Sequence, residues 1–414
     1  MLGSDTRSFL AVVRSLGRRQ LAVHVGWCPP GEPALRSRYI AKVHTLPTYA
    51  PDAEWKGALI ALLQREQFDL VIPCDDPTLL PLQLHREDLE RAGRLYLLNQ
   101  QAFHVTTSKF ATTALARGHD VPVPREFTAS RIRDAEEVLA RLEPPFVLKP
   151  GSSFTMTDLT TRRRVRKAGT PDELRDGLAE LLATGPVQVQ EHFTGVGVGV
   201  EVLAGDGDVL YAFQHLRIHE PPAGGGSSYR KSVPLTPDLL AAARQLIKAL
   251  DYTGVAMFEF KVHPRTGAWI LVEINGRFWG SLPLAVAAGA DFPYYLYQML
   301  VEGRRDFSPG YREGLFARNW RNDVGWAWLN FTADRADPGL VPRSLWQVAG
   351  EVVNVLTVRE RSDTFVLDDP GPAFAELAGI VRWVLGEGQR WVRRRPRFSS
   401  PRPARETDRQ LQER

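Results

Sequence analysis

Residues 252–283 read YTGVAMFEFKVHPRTGAWILVEINGRFWGSLP. Two apolar runs, 254–262 and 269–274, flank a turn-forming HPRTG at 263–267, so the spacing predicts two paired strands joined by a short loop. Each run carries a carboxylate among apolar neighbours: Glu259 between Phe258 and Phe260, and Glu273 between Val272 and Ile274. Such a carboxylate is costly unless a cation or hydrogen bonds compensate it. If pairing sets the two acids face to face, Asn275 adds another oxygen and Arg277 a fixed positive charge. That all-oxygen set suits Mg²⁺, or Mn²⁺, bridging phosphates. The plain alternative is a pair of edge-strand acids facing water.

The EINGR run at 273–277 resembles the catalytic core of the ATP-grasp superfamily. The pattern there is an acid in a strand, a hairpin, then E-I-N-P-R with acid, Asn and Arg all at the nucleotide phosphates. Gly276 stands where that pattern has proline, which alters the turn more than the liganding chemistry. PPFVLKPGSSFT at 144–155 is similar to the F-V-x-K-P motif: a strand delivers Lys149, and a loop with Ser152 and Ser153 offers N–H groups to phosphate. Upstream, Ser108 caps a helix ending near Gly118. Lys109 in its first turn gains nothing from the dipole, but the resemblance implies a basic residue there aimed at ATP phosphate.

VQVQEHFTG at 187–195 resembles the hinge strand of the same family, which implies adenine held by backbone groups of Glu191, His192 and Phe193. Glu201 in the next strand reads either as a ribose hydrogen-bonder or as a solvent-facing acid. The basic stretch 157–169, TDLTTRRRVRKAG, either closes over triphosphate or is a solvated hairpin. PPAGGGSSYRKS at 221–232 is a glycine-rich loop flanked by Arg217 and Arg230. It is similar to uncharacterised carboxylate-amine ligases of the superfamily, in which it reads as a phosphate or acyl-substrate lid; a plain surface loop is the alternative.

With 414 residues, 43% hydrophobic and 24% charged, the chain has material for about two to three domains. No apolar run is long enough to span a bilayer and the N-terminus lacks the order of a signal peptide, so a cytoplasmic location is expected. Cys28 and Cys74 have no metal-ligand spacing and read as buried thiols. Residues 388–414 hold nine Arg against three acids; the formal charge of +4 therefore lies in a basic, disordered tail, and a nucleic-acid role is not expected. A helix over 5–20 and a strand over 20–27 open an α/β unit, followed by helix 55–67 and strands 68–76 and 95–99. No apolar run precedes the first helix, so a first strand is either missing from the fold or lost to a late start codon. Strand ends at Pro73 to Asp76 are expected to face a substrate crevice. Residues 285–303 read as one buried helix, and the region from 306 as Trp-rich and chemically silent. Phe374, Leu377, Val381, Val384 and Leu385 form a stripe expected to be core, with a membrane-surface helix as the alternative.

The expected fold is α/β, becoming α+β in the catalytic part: a parallel-sheet pre-ATP-grasp domain over 1–105, a small lobe with the phosphate loop over 106–195, a catalytic lobe over 196–305, and a helical extension over 306–387. The resemblance implies Mg-ATP-dependent, ADP-forming ligation of small-molecule carboxylate and amine substrates through an acyl phosphate. Arg277, Arg217 and Arg230 are the catalytic candidates, and Glu259, Glu273 and Asn275 the metal ligands. A kinase or carboxylase with the same nucleotide site, and a non-enzymatic nucleotide-binding, membrane-associated module, are the rival readings.

Overall fold

The computed structural model describes residues 1–50, 54–220, 226–332 and 343–393. Near the N-terminus, β1 (Val23–Gly26) and β2 (Ile40–His44) pair in parallel. Residues 1–3 lie alongside: Gly26 N donates to Met1 O at 2.9 Å, Leu2 N to Ile72 O at 3.0 Å and Cys74 N to Leu2 O at 2.9 Å. The strand that seemed to be missing is therefore present as a rudiment ahead of helix Ser8–Arg18. Leu2, 4% exposed, carries its apolar content, too little for a periodicity argument to detect. The strands expected at 68–76 and 95–99 shrink to parallel bridges, Leu2 to Pro73 and Val71 to Leu95. In the other direction, β2 was not anticipated, because its middle residues are exposed.

The second sheet runs in the order β3-β6-β4-β5, with β3 (Glu126–Ala129), β4 (Phe146–Pro150), β5 (Arg166–Ala168) and β6 (Val187–Glu191) all antiparallel to their neighbours. Its own apolar cluster, including Phe146, Leu148, Val187 and Val189, is closed by helices Ala135–Arg141 and Pro171–Leu181. The third sheet holds β7 (Val196–Gly205), β8 (Asp208–His219), β9 (Tyr229–Ser232), β10 (Gly254–Val262), β11 (Trp269–Asn275), β12 (Phe316–Arg318) and β13 (Glu360–Ser362), ordered β11-β10-β7-β8-β9-β12-β13. The β10/β11 hairpin is the expected one. Its register sets Glu259 opposite Glu273 and Met257 opposite Asn275. One large core joins this sheet to helices Ser8–Arg18, Pro237–Ala249 and Phe292–Val301.

The C-terminal third departs most from expectation. The single helix expected over 285–303 is two, Leu282–Ala287 and Phe292–Val301, broken where Gly289 takes φ +99°, a conformation open mainly to glycine. Beyond residue 306 the chain is not silent: buried His219 contacts Asp323 Oδ1 and Glu351 Oε1, each at 2.8 Å. It stacks on Trp326 at 3.4 Å between ring centroids, and Arg318 bonds Asp323, Glu351 and Glu360. The expected apolar stripe is not core. Phe374, Leu377 and Val381 are 63%, 56% and 48% exposed, while the same helix, Gly371–Arg393, buries the polar Glu376 against Thr364 Oγ1 at 2.6 Å. The side chains of Val384 and Leu385 and residues 394–414 lie outside the described residues. Among the described residues, no helix is long and apolar enough to cross a membrane.

Candidate active site

The hairpin acids belong to a row that runs across four strands: Glu273 on β11, Glu259 on β10, Gly199 on β7 and His215 on β8. Strand register, not sequence proximity, assembles it. A Cβ on Gly199 would sit 2.2 Å from His215 Cε1 and 2.8 Å from Glu201 Oε1. The glycine is thus what lets the imidazole lie across β7. His215 Nδ1 meets Glu201 Oε1 at 2.6 Å, and both residues are fully buried. This corrects both expectations for Glu201: it neither faces solvent nor lies open to a ribose, because the sheet interior encloses it.

Two residues along β8, Arg217 Nη2 holds Glu259 Oε1 at 2.8 Å and Nη1 reaches Glu220 Oε1 at 3.4 Å. Burial pushes the Glu259 carboxyl up, but Arg217, with help from Arg162 and His215, leaves it below the usual carboxylate range. Asn275 Nδ2 donates to the same Glu259 oxygen at 3.2 Å. With its N–H₂ turned to an acid, the amide oxygen of Asn275 is directed elsewhere. Glu259, Glu273 and Asn275 together offer only oxygen donors, and this set fits a hard divalent cation such as Mg²⁺.

Across from this row stands the second sheet. Lys149, at the end of β4 and 7% exposed, reaches Val272 O on β11 at 3.4 Å. Burial lowers its ammonium to about 8 against the pull of Glu273, and Lys109 lowers it further. The capped helix Lys109–Gly118 begins at the phosphate loop: Lys109 N donates to Gly151 O at 3.0 Å and Lys109 Nζ to Ser153 Oγ at 3.1 Å. Ser152 Oγ donates to Phe154 O at 2.8 Å, which fixes the loop and leaves its own hydroxyl proton engaged. Lys109, Lys149, Ser153, Glu259, Glu273 and Asn275 are therefore brought together from distant parts of the chain.

Arg277 arrives with a partner the sequence did not reveal. Nε and Nη2 bind Asp76 Oδ1 and Oδ2 at 2.7 and 2.9 Å, and Nη1 donates to Phe278 O at 2.8 Å. Three of its five N–H groups are thus engaged, which leaves one on each Nη for a further acceptor. Asp76 starts helix Asp76–Leu84, whose cap Asp75 accepts from Thr78 N at 2.9 Å. Burial raises and Arg277 more than offsets it, holding the Asp76 carboxyl below its ordinary value, with Arg162 and Lys109 contributing. Arg162, in the 157–169 stretch, lies near enough to act on both Asp76 and Glu259.

Other expected residues go elsewhere. Arg230, 1% exposed, pairs with Asp363 and donates to Ser227 O at 2.9 Å. Its charge is spent inside the fold, a correction to its expected place on a lid, whose residues 221–225 lie outside the described ones. At the hinge, Glu191 N and His192 N already donate to Arg125 O and Pro145 O at 3.0 and 2.9 Å. The Glu191 carboxylate faces Arg125 Nη1 at 3.1 Å. Phe193 is half-buried beside them. Sequence reasoning gave His215 no role, carried Arg162 only within the basic 157–169 stretch, and named Asp76 only as a strand end. Alternation was the signal available for His215, which shares a strand face with Arg217.

The family described as ATP-grasp in the biosynthetic pathway with Ter operon matches residues 184–320. A D-aspartate ligase of Enterococcus faecium (strain Aus0004) is 22% identical over 302 residues, 67% of this chain and 70% of its own. An L-amino acid ligase from Bacillus licheniformis superposes with a TM-score of 0.57 at 16% identity, covering 73% of each chain. N5-carboxyaminoimidazole synthetase from Staphylococcus aureus gives 0.58 at 14% identity over 80% of this chain and 85% of that one. The biotin carboxylase domain of Hydrogenobacter thermophilus 2-oxoglutarate carboxylase, solved with MgADP and bicarbonate, gives 0.60 at 13% identity, covering 76% and 72%.

Proposed function

We propose, from the premise that this chain is an ATP-grasp protein and an ATP-dependent ligase, that it is an ADP-forming carboxylate-amine ligase working through an acyl phosphate. The observation that carries the reading is the meeting of buried Lys149 with the Glu259, Glu273 and Asn275 set across two sheets. Phosphoryl transfer asks for positioning and charge neutralisation more than for a covalent nucleophile, and this site offers cations and oxygen donors in that arrangement. In sequence terms the units are a pre-ATP-grasp part (1–105), a small lobe (106–195), a catalytic lobe (196–305) and an extension (306–387).

In this scheme a substrate carboxylate oxygen attacks the γ-phosphorus, its bond to the β–γ bridging oxygen breaks, and ADP leaves. An amine nitrogen then adds to the acyl carbon, phosphate departs, and the nitrogen loses a proton. Lys149 and Lys109 hold phosphate oxygens, with the Ser152–Ser153 loop beneath them. Glu259, Glu273 and Asn275 would hold Mg²⁺, which would supply charge neutralisation at the transferring group. Arg217 keeps the Glu259 carboxylate ionised and oriented. Adenine is held at the hinge by carbonyls of Glu191 and His192 and the N–H of Phe193, since the first two N–H groups are engaged.

The test is ADP release with Mg-ATP against a panel of carboxylic acids, each with and without amines. Because the named relatives are ligases of D-aspartate and of L-amino acids, both enantiomers of aspartate and the common L-amino acids enter the panel as both acid and amine. Release that needs both partners supports the ligase. Release with bicarbonate and a single further substrate points to a carboxylase, the activity in the name of the Hydrogenobacter thermophilus neighbour.

A further inference from the structure

Away from that site, three groups meet at the outer edge of the N-terminal sheet: His24 on β1, His44 on β2 and Glu66 at the end of helix Trp55–Glu66. One ligand atom from each lies within 4.8 Å of the other two. His24 Nδ1 is 3.0 Å from His44 Nε2 and 3.8 Å from Glu66 Oε2. Ligand atoms around a four-coordinate zinc ion lie about 3.3 Å apart when the bonds are about 2.0–2.1 Å, so these edges bracket the geometry of such a site.

The elements hold the three groups in place before any ion arrives. Parallel pairing sets Gly26 opposite His44 and His24 opposite Lys42, which brings the rings to 5.1 Å between centroids. Phe68 closes one side, edge-on at 5.3 Å from His24 and 6.2 Å from His44. The other oxygen of Glu66 is tied by Lys42 Nζ at 2.9 Å and Arg65 Nε at 3.3 Å, an outer-shell restraint that turns Oε2 toward the rings. All three groups line a cavity of about 250 Å³ whose wall includes Leu63, Val71 and Tyr297.

We propose that His24, His44 and Glu66 form a binding site for a divalent transition-metal ion of the zinc class, with a coordination position left open to the cavity. Two imidazoles and one carboxylate select zinc, cobalt or nickel over Mg²⁺, which prefers oxygen alone. Three protein ligands leave room for water or a small anion. The site is separate in sequence and in chemistry from the Glu259, Glu273 and Asn275 set, so its fate does not depend on the ligase reading.

The experiment uses metal-stripped full-length protein in excess Mg²⁺, titrated with Co²⁺ and followed by its visible ligand-field bands. Intense bands that saturate at an equimolar ratio and are displaced by Zn²⁺ are expected. His24→Ala and His44→Ala should abolish them, and Glu66→Gln should weaken Zn²⁺ affinity about 10-fold or more. The wild-type titration decides alone if a variant fails to fold: no saturable bands means that the rings share a hydrogen bond and the acid serves only Lys42 and Arg65. Bands that persist unchanged in a folded His24→Ala/His44→Ala variant also overturn the assignment.

Discussion

Single residues carry the chemistry, and Lys149 is the clearest case. Its ammonium is lowered to about 8 by burial, and a triphosphate beside it must raise that value by its negative charge. Nucleotide binding should then take up protons at and above about pH 8. The affinity should fall as pH rises from there, by at most roughly tenfold per unit because one proton is involved. Calorimetry in two buffers of different ionisation enthalpy reads the uptake directly, and Lys149→Met should remove it. Glu273→Gln keeps the shape of the hairpin but removes a charged ligand; turnover should vanish while the melting temperature holds, and full activity in that variant would discard the metal assignment. Gly276 is a packing matter. A Cβ there would lie 2.7 Å from Thr106 Oγ1 and 2.8 Å from Leu98 Cδ1. Gly276→Pro, although it restores the usual family pattern, should destabilise by about 1–3 kcal/mol, read as a lowered melting temperature.

Elements decide which residues become neighbours. The β10/β11 hairpin puts two acids opposite each other by register, and β7 extends the row only because Gly199 leaves the gap that His215 fills. Gly199→Ala drives a methyl into the imidazole and should cost activity and thermal stability together. Adding His215→Ala should recover part of the melting temperature but not the activity, the signature of a steric coupling between the two positions. Equal melting temperatures for wild type and Gly199→Ala would mean that the strand yields without cost. Helix ends work in the same way. Ser108 caps Lys109–Gly118 through Ala111 N at 3.3 Å, and this fixes where Lys109 meets the phosphate loop despite an unfavourable dipole.

At the scale of the whole molecule, first and last segments are tied by buried charge. Arg14 Nε meets Asp369 Oδ2 at 2.8 Å, and its Nη2 donates to Thr364 O at 2.8 Å and Asp369 O at 2.7 Å. Asp369 also accepts from Ser37 Oγ at 2.7 Å and Arg38 N at 2.8 Å. Removing one member of such a set leaves an uncompensated charge. Asp369→Ala should therefore destabilise the chain by about 3–5 kcal/mol, measured by denaturant melts, while the nucleotide-site residues stay as they are. Arg277 and Asp76 make a second long-range tie, between the N-terminal part and the hairpin, and it lies within the site itself.

By itself the sequence determined the hairpin, both acids, the capped helix of Lys109 and the strand of Lys149, because each rests on a local pattern of alternation, turn or cap. It also carried the ATP-grasp resemblance, since those local motifs recur in order. Only the tertiary structure decided what each charge touches. Arg277 and Arg230 looked alike as basic residues near glycine turns, yet one meets Asp76 at the site and the other is neutralised by Asp363 inside the fold. His24, His44 and Glu66 lie far apart in the chain and meet through parallel pairing and a helix end. The three residues of the first strand were invisible for a related reason: burial of one leucine between neighbours from other segments, rather than any local periodicity, holds them in place.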